Sequence, residues 1–160
     1  NMVPSTLGMT DAGLQDEVYG AIKAWRSLML GGPVVRMTVD GAGMGDTIAT
    51  TSGTVQVHLQ VLAPAWMRLN VVKVFANGEV VHEAALAAGP DVVRVDETFD
   101  LPLLTDAHIE AVAGSTDAAD VMRPVANRQP FSVTNPIFVD TDGGGYKPIY
   151  KDGAPWDATK

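Results

Sequence analysis

The residues best suited by type and spacing to do chemistry lie near the C-terminus, in Asp140-Thr141-Asp142-Gly143-Gly144-Gly145. Alternate carboxylates followed by glycines match the opening of a calcium loop, because hard oxygen ligands suit the ion and glycine permits the sharp turn. A complete loop adds a third oxygen side chain near Gly144 and a closing bidentate glutamate, and the sequence has neither. Asp140 and Asp142 are therefore candidate ligands for a weak, structural calcium ion. The competing expectation is a solvated acidic turn that closes the last strand.

Other constellations fail on spacing. Asp40-Gly41-Ala42-Gly43-Met44-Gly45-Asp46 has the glycines of a phosphate-binding loop, but that fingerprint requires a different third glycine and a helix behind it. The segment behind it, Thr47 to Gly53, is β-prone and turn-like, so a glycine turn between strands is expected. His58, His82 and His108 are far apart and form no His-x-His or His-x-x-x-His pair. No Gly-x-Ser-x-Gly occurs to make a serine nucleophile elbow. Glu79, Glu83, Glu97 and Glu110 show no local feature that singles out a catalytic carboxylate. No catalytic residue is assigned, and the chain alone is expected to be inactive.

The composition agrees with that restraint. The 160 residues hold no cysteine, which removes disulfides, thiol nucleophiles and thiolate metal sites. With 11 basic against 19 acidic residues, the net charge is -8. Such a balance disfavours nucleic acid and anionic membrane surfaces, both of which are recognised by neutralising negative charge. No apolar run approaches the ~20 residues that span a bilayer, and the residues from Asn1-Met2 onward are not expected to form a signal peptide. The compartment stays open, with an extracytoplasmic one favoured.

The elements that would position these residues fall into two groups. Leu14, Val18, Ile22, Trp25 and Met29 recur every three or four residues, which predicts an amphipathic helix over roughly Ala12 to Leu30. Thr10 and Asp11 would cap it, and Gly31-Gly32-Pro33 would stop it. From Val34 the period is two. Strands are expected around Val35–Val39, Val55–Val61, Val72–Ala76, Glu79–Ala84, Val93–Phe99, Ala107–Ala113 and Phe131–Val139, with Asn77-Gly78 as a hairpin turn. Ala85–Asp91 and Ser115–Pro130 read as loops, the second with room for a helical turn at Thr116–Asp120. About seven short strands with one-sided alternation predict a mainly β chain. Its fold would be an antiparallel immunoglobulin-like sandwich behind one helix, a small barrel being the alternative. The boundaries are 1–32 for the helical lead-in, 33–150 for the sandwich and 151–160 for a tail.

Three segments also carry a resemblance. Gly32-Pro33-Val34-Val35-Arg36-Met37-Thr38-Val39-Asp40-Gly41, Val71 to Glu79, and above all Thr134-Asn135-Pro136-Ile137-Phe138-Val139-Asp140-Thr141-Asp142-Gly143 resemble the region behind the catalytic domain in PHP (polymerase and histidinol phosphatase) proteins. The similar branch is the bacterial carbaryl-hydrolase and microcin-type group of metal-dependent hydrolases. There an Asn-Gly-Pro opens a C-terminal β-sandwich, and here glycine replaces the Asn. The resemblance covers roughly Asp16 to Ile149 and is most specific at its closing Thr-Asn-Pro-Ile.

The resemblance implies a non-catalytic accessory sandwich that supports or shields a catalytic domain in cis. Divalent metals would sit only in that domain, and residues 1–30 would be its tail, with Trp25 once packed against it. A self-sufficient immunoglobulin-like module for carbohydrate or protein is the alternative. Only 6% of the chain is aromatic, and Trp66, Tyr146, Tyr150 and Trp156 are the loop candidates for a sugar platform.

Overall fold

A computed structural model describes residues 11–86, 89–122 and 127–148. The Thr10 cap, Tyr150, Trp156 and the 151–160 tail lie outside the described residues. Among the described residues, one helix, α1 (Asp11–Lys23), precedes ten strands: β1 (Leu28–Gly31), β2 (Val34–Val39), β3 (Thr47–Ala49), β4 (Thr54–Leu62), β5 (Val71–Ala76), β6 (Glu79–Ala85), β7 (Val93–Pro102), β8 (Ala107–Gly114), β9 (Phe131–Thr134) and β10 (Ile137–Asp140). They form an open two-sheet sandwich rather than a closed barrel. A narrow sheet, β2-β4-β7, faces a seven-stranded one in which β6, β5 and β8 are followed by β9 with β10, then β1 with β3. All the ladders are antiparallel except that of β3 with β10. Three strands against a sheet centred on β5, β8 and β10 is immunoglobulin-like architecture.

The period-two pattern produces this because each strand contributes alternate residues to one core. Val35, Met37 and Val39, with Val55, Val57, Leu59 and Val61, face Val72, Val74, Ile109, Ala111, Ile137 and Val139, all buried. Each such side chain is worth roughly 1.5–3 kcal/mol of hydrophobic stabilisation. The Asn77-Gly78 hairpin is present, with φ of 52° and 80° at its two positions, as a type I′ turn requires. At the outer end of β7 the expected alternation reverses: Val93 is exposed and Arg94 buried. An irregularity in the register between Val61 and Leu62 changes the phase there. Arg94 then turns inward and donates to the carbonyls of Gly89, Pro64 and Met67.

The helix is shorter than its periodicity suggests. It ends at Lys23, and Leu28–Gly31 is strand β1, paired with β9. Its stop is Trp25 in the left-handed region, φ 58°. The Trp25 amide donates to the Ile22 carbonyl and the Arg26 amide to the Ala21 carbonyl, a Schellman termination with tryptophan where glycine is usual. Tertiary contacts compensate the left-handed strain: Trp25 meets Phe138 edge-on at 6.4 Å, and Arg26 pairs with Asp46 at 3.1 Å. Thr116–Asp120 makes a turn closed by the Asp120 amide on the Asp117 carbonyl, not a helix.

The expected last strand is broken at Asn135-Pro136, and the break explains what the Thr-Asn-Pro-Ile motif does. β8 pairs with β9 through Val112–Val133 and with β10 through Ile109–Ile137, one residue out of register. The Ala111 amide falls in the gap and donates instead to the Thr134 hydroxyl, 2.9 Å away and buried. The Asn135 side-chain amide donates to the Ser27 carbonyl, and the Pro136 carbonyl accepts the Gly45 amide. The motif thus lets one line of strand serve β1 on one half and β3 on the other. Thr134→Val should cost about 1–3 kcal/mol in urea unfolding by orphaning the Ala111 N–H, whereas Thr134→Ser should cost well under half of that.

Candidate functional site

Asp140 ends β10, and the strand delivers its side chain to the edge of the core rather than to solvent. It is only 5% exposed, so the expectation of a solvated turn fails for this residue. Its Oδ1 accepts the amides of Asp142 and Gly143 at 3.1 and 2.8 Å, and its Oδ2 accepts the amide of Gly145 at 2.8 Å. Glycines at 143 and 145, with φ of 73° and 84°, let the chain curl round the carboxylate. Asp142 is exposed; its Oδ1 accepts the Gly144 amide and its Oδ2 faces the Lys147 ammonium at 3.2 Å.

A third carboxylate completes the cluster. Asp106, just before β8, is 6% exposed. It accepts the Thr141 amide and hydroxyl on Oδ1 and the Lys147 amide on Oδ2. Asp106 is separated from Asp140 by β8, a long loop, β9 and β10, so no local spacing announces it. The available signal was Asn77-Gly78: Asn77 donates to the Asp106 carbonyl and accepts the His108 amide, fixing this loop to the hairpin. One oxygen from each of Asp106, Asp140 and Asp142 lies within 4.8 Å of the others.

The electrostatics follow from the hydrogen bonds. Burial pushes the Asp106 pKa up, but the Thr141 and Lys147 amides and the Thr141 hydroxyl outweigh it and hold the carboxyl below its ordinary value. The Gly144 amide, then Lys147, hold Asp142 low as well. Burial, followed by the Asp106 charge, pushes the Tyr146 hydroxyl up. Around Asp106 and Asp142 the amides and one lysine already do the work of a cation. They are the described residues best arranged to hold a hard divalent ion, and Lys147 would have to leave Asp142 to admit one.

The histidines do not converge. His58 bonds Asp96 at 2.8 Å on the outer face of the narrow sheet; with Gln60 it holds the Asp96 carboxyl below its ordinary value. His82 bonds Glu97 at 2.8 Å and stacks on Phe99 at 3.9 Å, joining the two sheets along one side. His108 meets the Tyr146 hydroxyl at 3.2 Å. His58 and His108 point away from the core, as the alternation predicts. The glycine-rich Asp40–Asp46 segment is a turn between β2 and β3, with Asp46 accepting the Gly43 amide.

No known protein family matches the sequence, and no curated protein matches it either. Among solved structures, the chain is similar to the CARDB domain of a Pyrococcus furiosus protein, solved in complex with di-metal ions. That likeness covers 72% of this chain and 95% of that one, at 17% identity and a TM-score of 0.40. A similarity of that size assigns no function here, and the fold rests on its own strand pairing. No described helix is long and apolar enough to cross a membrane.

A second surface was not visible in the sequence. The outer face of the seven-stranded sheet carries Met29, Phe75, Val112, Phe131, Val133 and Phe138, with Met29 55% and Phe131 39% exposed. The pairing lines Met29, Val133 and Val112 up across β1, β9 and β8. Antiparallel sheets with one solvated face put polar residues there. α1 exposes Leu14, Tyr19 and Ile22, and Trp25, which follows it and meets Phe138 of this face, is 54% exposed.

Proposed function

We propose that the chain is a non-catalytic accessory β-sandwich that packs on another folded domain of the same polypeptide. The observation that carries this reading is the apolar outer face of the wide sheet, which Trp25 extends through its contact with Phe138. Monomeric proteins seldom leave so many large apolar side chains together on one surface. A covering domain would bury Met29, Val133 and Phe131 and take the exposed side of α1. The finer identity we propose for that domain is the PHP-type metal-dependent hydrolase implied by the Thr134–Gly143 resemblance. That domain would hold the divalent ions and perform the hydrolysis, while this one supports or shields it. The test is whether the face becomes protected when the domain belongs to its full polypeptide.

The alternative, a self-standing module for carbohydrate, has less support. Trp25, Phe138 and Tyr146 cluster, but their planes stand at 90° and 54° to one another, a herringbone rather than the flat platform on which a sugar stacks. Trp66 stands exposed elsewhere.

We further propose that the cluster of Asp106, Asp140 and Asp142 binds calcium weakly, in competition with Lys147. Millimolar calcium should raise Tm slightly, Lys147→Gln should enlarge the rise, and Asp142→Ala should abolish it. A rise that Asp142→Ala leaves intact would remove calcium from this turn.

A further inference from the structure

The two sheets differ in width on one side of the sandwich. Past β2 the narrow sheet stops, while the wide sheet opposite continues through β1 and β3. The vacant position is a cleft of about 540 Å³, lined on its apolar side by Leu28, Val34, Met37 and Met44 and on its polar side by Arg36, His58 and the Arg26–Asp46 pair.

The edge of β2 is open along this cleft. In an antiparallel ladder, residues alternate between pairs that exchange both backbone bonds and pairs whose groups point away. The Asp40 amide bonds the Gln56 carbonyl, while Val39 turns its amide and carbonyl outward to Ala42. The register runs without interruption from Val39–Val57 back to Val34–Leu62. Val35 and Met37 therefore share the outward phase of Val39, and no turn or loop among the described residues bonds their N–H and C=O groups. The other edge of the narrow sheet, β7, carries Asp96, Glu97 and Asp100, charges of the kind that discourage added strands. β2 carries none. Its one charge is Arg36, exposed and without an ion-pair partner among the described residues, in a chain of net charge -8; Arg26 beside it is paired with Asp46.

We propose that this edge is a binding site for an extended segment of a partner polypeptide, which adds as the fourth strand of the narrow sheet. The guest would bond the free backbone groups of Val35 and Met37. Strand alternation then dictates its sequence. Side chains turned inward would meet Leu28, Met37 and Met44, so they are apolar. Those turned outward would stand beside Arg36, where cross-strand pairing favours carboxylates. The partner is thus an alternating acidic and apolar segment. This site lies on the narrow sheet's edge, and its existence does not depend on what covers the outer face of the wide sheet.

The test uses this chain and a capped, fluorescent heptapeptide, Thr-Glu-Val-Glu-Val-Glu-Thr. Anisotropy titration should show saturable binding, weakened about tenfold or more by Arg36→Glu and for the lysine counterpart of the peptide. Arg36 is exposed, so the variant should keep the parent's Tm; Arg68→Glu, on a remote exposed arginine, should bind as the parent does. Amide NMR should show Val35 and Met37 shifted and slowed in exchange by the peptide. No binding up to about 1 mM peptide, equal binding of the lysine peptide, or shifts centred on β7 would overturn the proposal. So would self-association through Val35 and Met37, which would give the edge to a second copy of this chain.

Discussion

Asp106→Ala is expected to lower the free energy of unfolding by about 3 kcal/mol. The substitution removes the acceptor for two backbone amides, Thr141 and Lys147, and for the Thr141 hydroxyl. Each amide left without a partner in a largely buried place costs ~1–3 kcal/mol, reduced where water can enter as the turn loosens. The turn also loses its tether to the hairpin side of the sandwich, so Asp140 and Asp142 should move apart from it. The pH dependence gives an independent check. The folded-state carboxyl of Asp106 titrates below its ordinary value. Its contribution is therefore fully present above the unfolded value, near pH 4, and is lost as pH falls through the lower folded value. Chemical unfolding between about pH 2 and 6 should show the parent losing stability on the acid side, with a shallower loss in Asp106→Ala. Equal acid slopes would show that the Asp106 carboxylate is not held by these donors.

Gly45→Ala is expected to be at least as damaging, for a steric reason. Gly45 has φ of 83° and donates its amide to the Pro136 carbonyl, and an added Cβ would overlap the Ala24 carbonyl oxygen. The left-handed conformation alone costs an alanine about 1–2 kcal/mol, and the overlap must be relieved by moving backbone. A total near 3 kcal/mol is expected, together with release of the α1 terminus and a change in Trp25 emission as its contact with Phe138 is lost. Two neighbours separate the causes. Gly41 has the same φ with nothing near its absent Cβ, so Gly41→Ala should show the conformational part only. Gly43 has an ordinary backbone, with Asp46 3.8 Å from the added atom, so Gly43→Ala should be close to neutral. A Gly45→Ala variant no worse than Gly41→Ala would deny the close approach of the two backbones.

Gly45 also shows what was legible in the sequence and what was not. The glycine run could be read as a turn between strands, because the residues after it are β-prone. That one of its glycines sits against the end of α1 could not, because the reason lies about twenty positions away in the chain. The strands of the core were legible because buried valines repeat every second residue. The short β1 and β3 were not: β1 hides inside a helical periodicity, and β3 is held by its parallel partner β10. The helix stop at Trp25 was invisible for the same reason, since a left-handed tryptophan is stabilised only by Phe138 and the Arg26–Asp46 pair. At the acidic turn, Asp140 and Asp142 were found by local spacing. Asp106 enters by tertiary contact. The apolar outer face was missed because β10 is apolar at both Ile137 and Phe138, and in β9 the alternation misleads: Ser132 and Thr134 are buried while Phe131 and Val133 face outward.

That outer face is the centre of the functional account, and it differs in kind from the acidic turn. The turn is saturated by its own amides and lysine, and it works as a clasp on the sandwich with or without an ion. The face has no such completion among the described residues. Hydroxyl-radical labelling read by mass spectrometry tests it most directly, comparing this chain alone with the full polypeptide from its reading frame. An accessory domain docked through the wide sheet predicts that Met29 and Phe131 label readily in the isolated chain and several-fold more slowly in the full polypeptide. Trp66, away from the face, should label equally in both. Equal labelling of Met29 and Phe131, or a full polypeptide with no second folded domain, would contradict the account.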